Sequence, residues 1–185
     1  GCYCDHHITG NPGCNSPECI TAFGNFAQAT VHHFKGNNII FECLNEPNGM
    51  GSDSATDLAA LCKSAGKAFT TAGELFVGPT TAGMDWKYLN TTMANGILDA
   101  FGAVSVHPYR PQAPDTVLDD WVRLRAMIQQ YGKTSEQKSM PMISGEWGYT
   151  TAGPPCAYLN RVTEAQGAAY LARMWLSNTL AGVAI

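Results

Sequence analysis

Residues 38–50 have the sequence NIIFECLNEPNGM, and the interpretation of the whole chain starts from this stretch. It begins with β-branched and aromatic residues at 39–41 and ends in Asn-Glu-Pro at 45–47, followed by Asn-Gly. An apolar run that is closed by proline and glycine is typical of a buried strand that stops abruptly. Because Pro47 disfavours a helical backbone at the residue before it, we expect Glu46 to be extended at the strand end.

A second short apolar stretch also ends in a glutamate. Residues 141–148 have the sequence PMISGEWG, with Glu146 between two glycines. A carboxylate at the mouth of a buried strand is costly unless a functional site uses it. Glu46 and Glu146 are therefore the first candidates for catalytic residues.

The composition indicates one globular domain that spans residues 1–185. The chain has 185 residues, of which 45% are hydrophobic and 14% charged, with a net charge of −4 and no linker or composition shift. Mild acidity without basic runs argues against nucleic acid or an anionic membrane surface as a partner. No run of about 18 apolar residues is present, so the sequence predicts no membrane span.

Cysteine usage favours a secreted protein with disulfides. Four of the seven cysteines fall within the first nineteen residues, in Gly- and Pro-bearing sequence. Such clustering is typical of disulfide-bonded extracellular proteins. The sequence Asn90-Thr91-Thr92 is an acceptor pattern for N-glycosylation, which fits the same compartment. The alternative is a cytosolic protein with small buried thiols at Cys43 and Cys62.

Apolar periodicity predicts strands and helices in strict alternation. Predicted strands at 1–7, 39–46, 74–79, 101–107 and 142–147, with another that begins at 183, alternate with helical patterns that begin after Ser16 and at 55, 88, 116 and 163. Residues 132–140 are expected to form a polar loop. This order favours a parallel sheet with covering helices. Trp121 and Trp175 fall on apolar helix stripes and are predicted core residues, whereas Trp86 is expected in a loop above the site.

Two architectures fit this alternation, a doubly wound open sheet and a (β/α)8 barrel. No glycine-rich phosphate fingerprint follows any strand, which weakens the nucleotide-binding alternative. The polar residues lie at strand C-terminal ends, where a barrel collects its active site. A barrel needs eight strands and about 250 residues, whereas about six strands are countable here. If the fold is a barrel, strands 1 and 2 and the end of strand 8 are missing from this chain.

The residues at these strand ends suit glycoside hydrolysis. Two glutamates that face each other across a cleft can act as acid and nucleophile, provided that their surroundings push the two pKa values apart. His107 and Tyr109 are two residues apart and therefore share a face, from which they could bond the nucleophile or the sugar. Trp147 offers a flat apolar surface suited to stacking on a pyranose ring.

Together these motifs resemble the retaining glycoside hydrolases of the large (β/α)8 clan, and most of all family 5, the cellulase-like enzymes. The matching segments are Asn-Glu-Pro at 45–47, His-Pro-Tyr at 107–109, Gly-Glu-Trp-Gly at 145–148 and Asp-His-His at 5–7. The resemblance implies Glu46 as acid/base and Glu146 as nucleophile. It also implies a group of sugar-binding residues: Asn45, His7, His107, Tyr109 and Trp147.

The resemblance further implies a substrate class, a β-linked polysaccharide or oligosaccharide with β-1,4-glucan first. It implies neither a cofactor nor a metal, and it suggests that missing barrel segments belong to the natural full-length chain. Two alternatives stay open. One is a non-catalytic carbohydrate-binding or structural barrel fragment. The other is a zinc site built from an N-terminal cluster: Cys2, Cys4, His6, His7, Cys14 and Cys19.

Overall fold

A computed structural model describes residues 14–49, 54–152 and 161–184. The described residues form one parallel sheet whose four strands lie in chain order. These strands are β1 (Phe41–Glu42), β2 (Phe76–Ala82), β3 (Ala103–His107) and β4 (Met142–Ser144). Beyond β4, Ala184 pairs with Ile143 in a parallel bridge. The strand predicted at residues 1–7 lies outside the described residues.

Helices connect and cover these strands. They are α1 (Pro17–Phe34), α2 (Ala55–Ala72), α3 (Trp86–Ala94), α4 (Val117–Tyr131), α5 (Ser135–Lys138) and α6 (Glu164–Leu180). Ser16, Ser54 and Thr163 each cap a helix by accepting a hydrogen bond from a backbone amide of its first turn. Each helix returns the chain to the same end of the sheet, as parallel pairing requires. The predicted parallel α/β order is confirmed, although the predicted loop at 132–140 contains the short helix α5.

The core lies between the sheet and helices α2 to α4. All five residues of β3 are buried, and the ring of Phe69 stacks on that of Phe76 at 4.5 Å between centroids. Trp121 is 1% exposed, and its Nε1–H donates to Asn178 Oδ1 at 3.1 Å, so its predicted place in the core is confirmed.

Two other tryptophan predictions are wrong. Trp175 is 53% exposed, because α6 turns Met174, Ser177 and Asn178 inward and Trp175 lies on its outer face. Trp86 does not lie in a loop but opens α3, where the guanidinium of Arg123 lies 4.1 Å from its ring centroid.

Two disulfides are present among the described cysteines, Cys14–Cys19 and Cys43–Cys62. The second joins the residue after β1 to the middle of α2, so Cys43 and Cys62 are not the free buried thiols of the alternative interpretation. The remaining three cysteines lie outside the described residues. Among the helices of the described residues, none combines the length and the apolar composition that spanning a bilayer requires.

Candidate active site

Three predicted residues meet at the C-terminal end of the sheet. Glu46 follows β1, His107 ends β3 and Glu146 follows β4. His107 Nδ1 lies 3.0 Å from Glu46 Oε1 and 3.4 Å from Glu146 Oε2. One carboxylate oxygen of each glutamate and a His107 ring nitrogen all lie within 4.8 Å of one another. The three side chains therefore form one polar cluster, the carboxylate–histidine cluster.

Burial differs strongly within this cluster. The His107 side chain is 2% exposed, whereas those of Glu46 and Glu146 are 29% and 52% exposed. The imidazole is therefore buried, whereas both carboxylates are accessible to solvent and hence to a substrate.

Tyr109 joins the cluster from the side of Glu146. Its hydroxyl donates a hydrogen bond to Glu146 Oε1 at 2.8 Å. Burial, this hydrogen bond and the nearby charges of Glu146 and Glu46 raise the pKa of Tyr109. The hydroxyl therefore stays protonated and remains a donor to the carboxylate well above neutral pH.

The backbone at Glu46 differs from the sequence prediction. Glu46 has φ +46°, in the left-handed region, and is not extended. Its N–H donates to the carbonyl of Thr80 at 3.0 Å, and its carbonyl accepts from the N–H of Gly49 at 2.9 Å. The prediction was wrong because these hydrogen bonds of the turn override the extended conformation that Pro47 favours at the residue before it. Thr80, on β2, is itself left-handed at φ +50°.

Asn48 fixes this turn to the neighbouring strand. Its Oδ1 accepts from the N–H of Ala82 at 2.8 Å, and its Nδ2 donates to the carbonyl of Ala82 at 3.1 Å. Nδ2 also lies 3.2 Å from Asp85 Oδ2. No role for Asn48 was predicted from the sequence, although the Asn-Gly pair after Pro47 is the signal of a constrained turn after the glutamate.

A second polar layer lies beneath the cluster, and sequence reasoning missed it. Ser105 on β3 is fully buried, and its Oγ donates to Glu42 Oε1 at 2.9 Å. A Cβ on Gly145 would lie 2.7 Å from Ser105 Oγ and 3.1 Å from Glu42 Oε1. It would also lie 3.4 Å from His107 Cδ2. The absence of a side chain at Gly145 therefore lets this layer pack directly beside Glu146.

The remaining predicted residues lie around the cluster or outside the described residues. Asn45 is exposed and directly precedes Glu46. Trp147 is half-buried, with the guanidinium of Arg110 lying 5.7 Å from its ring centroid. Arg110 is held in turn by an ion pair with Asp120 at 2.8 Å. His7 lies outside the described residues, so its role and those of Asn45 and Trp147 stay predictions.

Two of the six ligands proposed for an N-terminal zinc site are not available to a metal ion. Cys14 and Cys19 are joined in a disulfide and cannot act as thiolates. Its other four residues lie outside the described ranges. The residues that could hold a metal ion within the described ranges are those of the carboxylate–histidine cluster.

Comparison with known proteins identifies the family. The sequence matches the family described as "Cellulase (glycosyl hydrolase family 5)" over residues 4–181. The chain belongs to glycosyl hydrolase family 5. No curated protein matches it.

The family 5 chain is also similar in structure to a glucosidase from Croceicoccus marinus, with a TM-score of 0.63 and 15% identity. The alignment covers 89% of this chain and 37% of the glucosidase chain. A likeness at this identity shows the fold alone. Together with the family, it confirms the predicted (β/α)8 barrel fold, of which the described residues hold four strands.

Proposed function

We propose that this chain carries the catalytic centre of a retaining β-glycosidase. The observation that carries the proposal is the spacing within 4.8 Å between carboxylate oxygens of Glu46 and Glu146. Retaining glycosidases need carboxyl groups about 5 Å apart, whereas inverting enzymes leave about 6.5–9.5 Å for a water molecule. The observed spacing falls on the retaining side of this division and supports double displacement.

In the first step, Glu146 attacks the anomeric carbon while Glu46 protonates the leaving oxygen, so the glycosidic bond breaks as a glycosyl–enzyme ester forms. In the second step, Glu46 takes a proton from water, and that water releases the sugar with its original β configuration. His107 and Tyr109 hold the Glu146 carboxylate from two sides, which keeps its oxygens in fixed directions. No cofactor takes part in these steps.

The proposed substrate is a β-linked polysaccharide or oligosaccharide, which the family supports. We place β-1,4-glucan first, then mannan, β-1,3-glucan and xylosides. Asn45 is proposed to bind the sugar 2-hydroxyl and Trp147 to stack on a sugar ring. Because the chain spans 37% of the glucosidase it resembles, further barrel segments are proposed to complete the cleft.

Secretion is proposed from cysteine usage, and the two disulfides support it. Asn90 is a proposed glycosylation site because it is exposed. The Tyr131 hydroxyl donates to Asn90 Oδ1, which leaves Nδ2, the atom that carries an N-linked glycan, without this contact. Thr92 of the same pattern is fully buried, so attachment would precede folding. A mass decrease after enzymatic removal of N-glycans, absent in Asn90→Gln, would test this site.

Sugar release from β-glucan, mannan and xylan panels tests the activity. We expect Glu46→Gln and Glu146→Gln each to lower kcat on the natural polysaccharide by at least about a thousandfold, because each removes a reacting group. Glu136→Gln, on the exposed helix α5, is the matched control and should leave turnover unchanged. Full activity in either site variant would refute its assigned role.

Rescue by azide assigns the two roles separately. In Glu46→Ala, azide should attack the glycosyl–enzyme formed from an activated aryl glycoside and give a β-glycosyl azide. In Glu146→Ala, azide should enter from the vacated nucleophile side and give the α-product. The opposite pair of products would mean that the two glutamates have exchanged roles, and sugar binding without turnover in the wild type would favour the non-catalytic alternative.

A further inference from the structure

We propose that the carboxylate–histidine cluster is also a binding site for a late transition-metal ion of the Zn²⁺ type, and that such an ion inhibits the enzyme by competing with substrate. The binding part stands on geometry alone. The inhibition part rests on the proposed function, because it requires that the same carboxylates receive the sugar.

The ligand atoms already lie close to the spacing that zinc imposes. Metal–ligand distances of about 2.0–2.1 Å and tetrahedral angles put neighbouring ligand atoms about 3.3 Å apart. His107 Nδ1 lies 3.0 Å from Glu46 Oε1 and 3.4 Å from Glu146 Oε2. Two of the three distances between ligand atoms therefore already suit a tetrahedral ion. Only the distance between the two carboxylate oxygens, now within 4.8 Å, needs to shorten.

The burial pattern shows which ligand is fixed and which ones can move. His107 is 2% exposed and anchored in β3, whereas the Glu46 and Glu146 side chains are 29% and 52% exposed. The two carboxylates can therefore rotate toward an ion that sits over the imidazole. Their exposed side gives the ion an entry path and leaves a fourth coordination position for water.

Neighbouring groups support this ligand set. Tyr109 OH donates to Glu146 Oε1, which leaves Oε2 to face His107 Nδ1. Hydrogen bonds of this kind orient metal ligands and strengthen binding. Neutral His107 would bind the ion through Nδ1 in the tautomer that carries its hydrogen on Nε2, so that the ion replaces the contacts between Nδ1 and the two carboxylates.

The donor chemistry selects the class of metal. Two carboxylates and one imidazole suit Zn²⁺, Cu²⁺ or Ni²⁺, whereas Mg²⁺ and Ca²⁺ prefer sites made of oxygen alone. The two carboxylates, both deprotonated when they bind the ion, also neutralise its charge. The proposed ligand is therefore a borderline-soft divalent cation, with Zn²⁺ as the probe.

Calorimetric titration of the purified chain with ZnCl₂ tests the site. We expect one equivalent to bind and His107→Asn to weaken that binding at least about tenfold. MgCl₂ should give no comparable binding. The matched control is His32→Asn/His33→Asn, which removes two exposed histidines of α1 and should leave the Zn²⁺ affinity unchanged. Equal affinity in His107→Asn, or loss of binding in the α1 control, would overturn the proposal.

Three further measurements test the folding of the variant, a second ligand and the coordination geometry. Circular dichroism checks His107→Asn, and Glu146→Gln, which keeps the shape of the side chain, should also lose Zn²⁺ affinity. Co²⁺ in place of Zn²⁺ should give the intense visible absorption of a four-coordinate site in the wild type. A spectrum that shows no more than the weak band of six-coordinate Co²⁺ would contradict the proposed four-coordinate geometry.

Enzyme kinetics in the presence of Zn²⁺ distinguish a failure of the metal site from a failure of the proposed function. Saturating Zn²⁺ should raise the apparent KM for an aryl glycoside and leave kcat unchanged. Binding at His107 without inhibition would keep the metal site and refute the catalytic roles of the glutamates. Inhibition that persists with equal potency in a folded, still measurably active His107→Asn variant would refute the metal site and leave the proposed function standing.

Discussion

The two strand ends that carry the site glutamates position them by different means. Glu46 is placed by its backbone, which is left-handed at φ +46° and bonded to Thr80 on β2. Asn48 fixes the same turn to Ala82. The β1 end, as we call residues 43–49, is therefore determined by main-chain geometry.

The β4 end, residues 145–147, is held by packing and side-chain contacts. Tyr109 and His107 contact the Glu146 carboxylate, and Gly145 packs against Ser105 and Glu42. Glu146 is also more exposed than Glu46, at 52% against 29%. The difference predicts that changes at the β1 end act on stability first, whereas changes at the β4 end act on turnover.

The disulfide of the β1 end should give the largest effect on stability. Cys43 and Cys62 close a loop with a sequence separation of 19, and the chain-entropy estimate is about 3 kcal/mol. We expect Cys43→Ala/Cys62→Ala to lower the free energy of unfolding in urea by about that amount. The matched control is Cys14→Ala/Cys19→Ala. The sequence separation of 5 between these cysteines predicts a loss of about 2 kcal/mol in the free energy of unfolding. A larger loss in the control would contradict the assignment of stability to the β1 end.

At the β4 end, Gly145→Ala should act on turnover. The added Cβ would meet Ser105 Oγ at 2.7 Å and Glu42 Oε1 at 3.1 Å, so the backbone beside Glu146 must shift. A displacement of about 1 Å in a catalytic group costs about a hundredfold in kcat. Gly148→Ala is the control, because a Cβ there meets nothing within 4 Å. Equal kcat values for the two variants, measured on an aryl glycoside, would show that this packing does not position Glu146.

The convergence of the site could be predicted from the sequence, whereas its local geometry could not. Parallel strands bring their carboxyl ends to one edge, so Glu46, His107, Tyr109 and Glu146 were expected together. The left-handed turn at Glu46 depends on hydrogen bonds to β2, which local preference does not encode.

Burial on the helices shows the same limit. The periodicity of α6 identified residues that share a face, but it carried no information on what covers that face, and Trp175 proved exposed. The Glu42–Ser105 contact was missed for a related reason, because its partners are 63 residues apart and neither lies in a motif.

Asn48 gives an intermediate effect at the β1 end. Asn48→Ala removes both hydrogen bonds to Ala82 and leaves its backbone N–H without the Oδ1 acceptor. We expect the free energy of unfolding to fall by about 1–3 kcal/mol, because two hydrogen bonds to the half-buried Ala82 contribute about 0.5–1.5 kcal/mol each. Asn37→Ala, at an exposed position after α1, is the control and should change stability by less than about 0.5 kcal/mol. Urea unfolding of both variants measures the difference.

The smallest effect is a change in titration at the β4 end. The pKa of Tyr109 is raised above its ordinary value, first by burial and then by Glu146. The unfolded chain ionises this tyrosine near pH 10 while the folded chain keeps its proton. Its contribution to stability is therefore complete below pH about 10 and declines as pH rises through the raised pKa.

Ultraviolet titration of tyrosinate isolates this contribution. Tyr109→Phe should leave the absorbance change near pH about 10 unaltered, because Tyr109 does not ionise there in the folded wild type. Glu146→Gln removes the adjacent charge and should therefore lower the pKa of Tyr109. In that background the tyrosinate signal should include Tyr109, so the double variant Glu146→Gln/Tyr109→Phe should give a smaller signal than Glu146→Gln alone at the same pH. If Tyr109→Phe already removes one tyrosine from the signal near pH 10 in the wild-type background, Tyr109 ionises normally. Side-chain contacts from Tyr109 would then not hold Glu146, and the contrast between the two strand ends would fail.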